Sequence, residues 1–69
     1  MPVINIQMLV GRTPDQKRRL VASITDAMVD CAGARRASVN VIINEVQSEN
    51  WAQDGGLFSD REGADGPGR

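Results

Sequence analysis

Histidine and tyrosine are absent from the 69-residue chain, cysteine occurs once, and aromatic residues make up only 3% of it. Without histidine there is no Ser-His-Asp or Cys-His nucleophilic centre, and no zinc cluster of ordinary Cys/His spacing. The single thiol, Cys31, cannot close an internal disulfide. No glycine-rich phosphate loop is present, and no apolar run approaches the roughly 20 residues that span a bilayer. Charge of neither sign dominates: 8 Lys plus Arg stand against 9 Asp plus Glu, for a formal net charge of -1. Nothing therefore draws the chain toward DNA, RNA or anionic lipid, and neither nucleic acid nor membrane is an expected partner. The opening residues Met1-Pro2-Val3-Ile4-Asn5 lack the charged region and long apolar core of a signal peptide, so the cytoplasm is the expected location.

What is present suits a folded domain with an aliphatic core, at 41% hydrophobic and 25% charged residues. A chain this short buries too little surface to be comfortable alone. With disulfide and metal excluded, oligomerisation is the expected source of extra stability.

Residues 3–10 read VINIQMLV, with Ile4, Ile6 and Met8 on one face and Asn5 and Gln7 on the other, which predicts a strand. Gly11-Arg12-Thr13-Pro14 breaks it. Thr13, Pro14 and Gln16 then offer an N-cap hydroxyl, a proline at the first helical position and a capping-box partner. Leu20, Val21, Ile24, Ala27, Met28 and Cys31 recur at spacings of three and four and predict one buried helix face, with Cys31 a small core residue rather than a nucleophile. Gly33 suits the helix end, and residues 34–37 make a short polar connection. Residues 38–46, SVNVIINEV, form a β-branched run whose nearly continuous apolar character predicts an interior strand. The order is β-α-β, in which a single crossover helix makes the two strands parallel. Beyond it, residues 51–56 predict a turn, and Leu57 and Phe58 a short pairing or docking segment. The domain is expected to occupy residues 1–61, followed by a flexible, polar, glycine-rich tail over 62–69. Two unpaired strand edges favour protomers that join their sheets.

Pro2 is the residue that suggests chemistry. A small residue there favours removal of the initiator Met, which leaves a secondary amine at the start of the first strand. An α-amino group titrates around pH 8, and desolvation in an apolar site lowers that value toward the pH at which a general base works best. If Met1 stays, the same nitrogen is an amide and no base exists.

Pro2, the strand over 3–10, Gly11-Arg12-Thr13, Asp15-Gln16-Lys17, Leu20, Ser38-Val39, Val41-Ile42-Ile43, Glu45, and Trp51 followed by Gly55 together resemble the 4-oxalocrotonate tautomerase family. The likeness runs without a gap from Pro2 to about Leu57, and its opening plus Gly-Arg-Thr-x-x-Gln-Lys is fairly specific in so short a chain. The resemblance implies an α+β fold built from β-α-β subunits that pair into four-stranded sheets, commonly a hexamer arranged as a trimer of dimers. It also implies a cofactor-independent isomerase that acts on a small unsaturated 2-hydroxy or 2-oxo carboxylate such as 2-hydroxymuconate, a type of substrate met in aromatic catabolism. By the same resemblance Pro2 is the catalytic base. Arg12 anchors the distal carboxylate, a task that suits a planar guanidinium. Trp51 stands where the family carries an aromatic wall that keeps the proline amine neutral, and Leu9 fits the same wall or the core. Position 40 departs from the pattern: the family's second arginine, which engages the oxygen at C2 and the C1 carboxylate, is here Asn40, a neutral and shorter group. Losing a charge-assisted contact there costs roughly 10²-fold or more in rate. Arg35 and Arg36 precede this strand as possible sources of replacement charge, and Asn5 is a further site or edge residue. Related dehalogenases and hydratases place an acid two residues after the aromatic. That position is Gln53 here, with Asp54 beside it, so tautomerisation is favoured over hydrolytic dehalogenation, and a related hydratase, dehalogenase or decarboxylase activity stays as the alternative. Asn40 also keeps open a different reading, a catalytically weak subunit of a hetero-oligomeric assembly.

Overall fold

A computed structural model describes residues 1–61, so the tail expected over 62–69 lies outside the described residues. Strand β1 spans Val3–Leu9, helix α1 Pro14–Ala32 and strand β2 Asn40–Val46. β1 and β2 form a two-stranded parallel sheet, and α1 is the crossover between them. A second, antiparallel pair follows, β3 (Ala52–Gln53) with β4 (Gly56–Leu57). The described residues gather into two compact units, Met1–Ile6 with Arg12–Ile43, and Gln7–Gly11 with residues 44–61. Among the described residues no helix is long and apolar enough to cross a membrane.

In the first unit the helix begins where its capping residues dictate. The Gln16 backbone N–H donates to Thr13 Oγ1 at 3.1 Å while the Thr13 N–H donates to Gln16 Oε1 at 2.8 Å, so two of the otherwise orphan donors are satisfied reciprocally. Pro14 supplies a preset φ at the first turn. Gly33, at φ +67°, ends the helix in the left-handed region, and the Ala34 N–H donates to the Met28 carbonyl at 3.1 Å. The half-buried stripe of α1 runs through Lys17, Leu20, Val21, Ile24, Thr25, Met28 and Val29. Cys31 and Ala27, expected in the core, are exposed. The reason is a rotation of the stripe toward Thr25 and Val29, which puts Ala27 and Cys31 on its opposite flank. Thr25 is accommodated because its hydroxyl donates to the Val21 carbonyl at 2.8 Å.

Along β1 burial alternates as expected, with Ile4, Ile6 and Met8 half-buried between exposed Val3, Asn5 and Gln7. The second strand starts two residues later than its β-branched run, because residues Arg36–Ser38 form a 3₁₀ turn whose Val39 N–H closes onto the Arg36 carbonyl at 3.3 Å. β2 also alternates rather than being covered on both faces: Val41 and Ile43 are half-buried, whereas Ile42 is 47% exposed. Among the described residues of one chain its neighbouring strand is β1.

In the second unit the turn expected over 51–56 is a hairpin. Ala52 pairs with Leu57 and Gln53 with Gly56. Asp54 and Gly55 at its tip have φ of 54° and 77°. Two successive positive φ values match the right-handed twist of the flanking strands, and Asp-Gly is a favoured pair for them.

Candidate active site

The first unit holds three of the proposed site residues. Pro2 is half-buried at the head of β1, and its carbonyl accepts the Asn40 backbone N–H at 3.0 Å. That bond is the first rung of the parallel ladder and brings residues 2 and 40 together. Met1, before it, is 93% exposed. Asn40 itself is exposed, and its Nδ2 donates to the Ser38 carbonyl at 3.1 Å. One amide N–H and the Oδ1 acceptor of Asn40 remain for other partners.

Arg12 sits between Gly11 and the helix N-cap Thr13. Gly11 has φ +128°, a conformation a side chain rarely adopts, so the bend that delivers Arg12 depends on glycine. Arg12 is half-buried and has no hydrogen-bond or ion-pair partner among the described residues. Two other arginines of this unit form exposed ion pairs: Arg18 with Asp15, and Arg36 with Asp26 at 2.8 Å. Arg35 remains exposed, with its carbonyl accepting the Ser38 N–H at 2.8 Å. Asn5 lies on the exposed face of β1.

Leu9 and Trp51 belong to the second unit. Leu9, 5% exposed, is the buried hydrophobic residue of the described chain. Half-buried Trp51 lies with its ring centroid 6.1 Å from that of Phe58 at 46°, and its carbonyl accepts the Phe58 N–H at 2.8 Å. Gln53 and Asp54 are committed to the hairpin, so Asp54 is a turn residue. Phe58 and Arg61 were not singled out as site residues in the sequence. The arginine lies 5.0 Å above the Phe58 ring and reaches back to the hairpin carbonyls. An Asp-Gly turn followed within a few residues by an aromatic and an arginine was the available signal. Among the described residues no group of three or more metal-ligating side chains converges.

A sequence model described as "Tautomerase enzyme" matches residues 2–61. The chain belongs to the tautomerase family. The 2-hydroxymuconate tautomerase of Bacillus subtilis is 39% identical over 62 residues, covering 90% of this chain and all of that protein. A crystal structure of a 4-oxalocrotonate tautomerase homologue superposes with a TM-score of 0.83 at 37% identity, over 86% of this chain and 97% of that one. A heterohexameric 4-oxalocrotonate tautomerase from Chloroflexus aurantiacus superposes with a TM-score of 0.82 at 30% identity, over 87% of this chain and 97% of that one. This family member is an enzyme of the isomerase class, with the tautomerase β-α-β fold.

Proposed function

We propose that the protein is a cofactor-independent tautomerase of a small unsaturated 2-hydroxy or 2-oxo carboxylate, with 2-hydroxymuconate the reference substrate, and that the Pro2 amine is its general base. The observation that carries this reading is the Asn40 N–H bond to the Pro2 carbonyl, which fixes residue 2 half-buried at the head of β1 beside residue 40. With Met1 removed, the Pro2 nitrogen accepts the proton of the 2-hydroxyl. Electrons move through the diene to form the 2-oxo group, and the prolinium returns the proton to C5, so nothing is consumed. Arg12, without an internal partner among the described residues and unable to lose its charge, anchors the distal carboxylate. Asn40 donates its remaining amide N–H toward the developing enolate oxygen. Trp51 and Leu9 take the apolar roles that the family resemblance gives them.

The full residue range 1–61 acts as one domain in this reading, and the working form is a cytoplasmic homo-oligomer, a hexamer assembled as a trimer of dimers. The heterohexameric relative supports assembly of this kind and extends it to unlike subunits. One observation favours a second reading, a catalytically weak subunit in a mixed assembly: the neutral Asn40 has half of its amide donors engaged by Ser38.

The test compares two preparations of the chain, one beginning at Pro2 and one with Met1 retained, both verified by mass. Ketonisation of 2-hydroxymuconate, followed by ultraviolet absorbance, is expected only from the first. Equal rates would exclude the Pro2 amine as base.

A further inference from the structure

We infer that Arg61 is a positioning residue that clasps the β3–β4 hairpin and, through Phe58, holds Trp51 in place. The inference rests on the role proposed above for Trp51. Its geometry is contained in the second unit. Arg61 Nη2 donates to the Gln53 carbonyl and, at 3.4 Å, to the Gly56 carbonyl, the two residues that flank the Asp54-Gly55 turn. The same guanidinium stacks 5.0 Å from the centroid of Phe58. Phe58 in turn is tied to Trp51 by the backbone bond at 2.8 Å and by the ring contact at 6.1 Å. A two-by-two hairpin is marginal without such support.

Gly56 shows how closely the clasp is fitted. Its backbone is not in the left-handed region, so it does not need to be glycine for that reason. A Cβ at 56 would instead stand 3.1 Å from Arg61 Nη2, and the absent side chain leaves room for the guanidinium. A planar cation is required because the group must both donate in its plane and stack on an aromatic face, which an ammonium does less well.

Trp51 is the sole tryptophan of the chain, so its fluorescence reports the clasp directly. The variants are Arg61→Met, Arg61→Lys, Phe58→Leu and the Arg61→Met/Phe58→Leu double, each matched to the parent by circular dichroism and size. Arg61→Met is expected to shift Trp51 emission to the red and to raise its quenching by acrylamide. Arg61→Lys recovers part of both changes. Phe58→Leu gives a similar shift, and the double variant adds little to it, because both residues act through one path.

The catalytic readout is the pH profile of kcat/KM for 2-hydroxymuconate. In the role that the family resemblance gives Trp51, a displaced apolar wall leaves the Pro2 amine better solvated. Its charged form is then favoured, so the ascending limb moves to higher pH in Arg61→Met, and kcat/KM falls about 10-fold on the acid side of the limb. Unchanged emission and quenching in Arg61→Met, or additive effects in the double variant, would overturn the inference, whereas a red shift with an unmoved limb would support the hold of Arg61 on Trp51 and overturn the wall role proposed for Trp51. If the parent chain itself fails to turn over 2-hydroxymuconate, the proposed function fails on that substrate, and the fluorescence arms alone decide whether Arg61 holds Trp51.

Discussion

At position 40 the proposed site carries an amide where the family resemblance implies a cation, and the consequence can be measured on one residue. Asn40 bonds through its backbone to Pro2 and through Nδ2 to the Ser38 carbonyl, so it contributes geometry and at most one neutral donor. Asn40→Arg is therefore expected to raise kcat/KM for 2-hydroxymuconate about 10-fold or more by restoring a charge-assisted contact to the enolate oxygen. An unchanged or lower value would show that this oxygen is not addressed from position 40. Arg12 belongs to the same scale. Its half-buried guanidinium lacks an internal partner among the described residues, so Arg12→Ala is expected to cost little in thermal stability while raising KM about 10-fold or more, the worth of a lost charged hydrogen bond. A large drop in melting temperature with KM unchanged would instead make Arg12 a structural residue.

Among the elements, α1 was the most legible in the sequence, because Thr13, Pro14 and Gln16 state its start and Gly33 its end in local chemistry that needs no tertiary context. Thr13→Ala removes the acceptor for the Gln16 N–H and is expected to lower unfolding free energy by about 1 kcal/mol, measured by urea denaturation. The Arg36–Asp26 pair is a contrasting case. Both side chains are largely exposed, so Asp26→Asn should change stability by less than about 1 kcal/mol despite the 2.8 Å separation. Which flank of the helix is buried was less legible. Cys31 and Ala27 are apolar enough to extend the stripe on a wheel, but small side chains say little about orientation, and the larger Val29 takes the half-buried place on the other flank. The hairpin was legible only at its tip. Asp54-Gly55 announces a turn, whereas the two-residue strands depend on Arg61, a contact eight residues away from Gln53 that no periodicity reveals.

For the whole molecule, the parallel β-α-β order followed from the chain itself, and Pro2, Arg12, Asn40, Leu9 and Trp51 could be marked from their resemblance to the family's motifs. In the proposed function those residues work within an assembly. The residue-scale burial explains why assembly is expected: Leu9 is the buried hydrophobic residue of the described chain, while Val3 is 52% and Ile42 47% exposed on adjoining strands. Apolar side chains left in water on a sheet are candidates for burial between subunits. Ile42→Asp is expected to shift the protein from an oligomer to smaller species in light scattering coupled to size exclusion. A parent chain that is monomeric at micromolar concentration would contradict the proposed hexamer.

The most direct measurement is the initial rate of 2-hydroxymuconate ketonisation by protein confirmed by mass to begin at Pro2, beside its Pro2→Ala variant. A general base of this kind contributes about 10²-fold or more, and the variant is expected to lose at least that much. Equal rates, or no rate from either, would contradict the assignment of this reaction to the Pro2 amine.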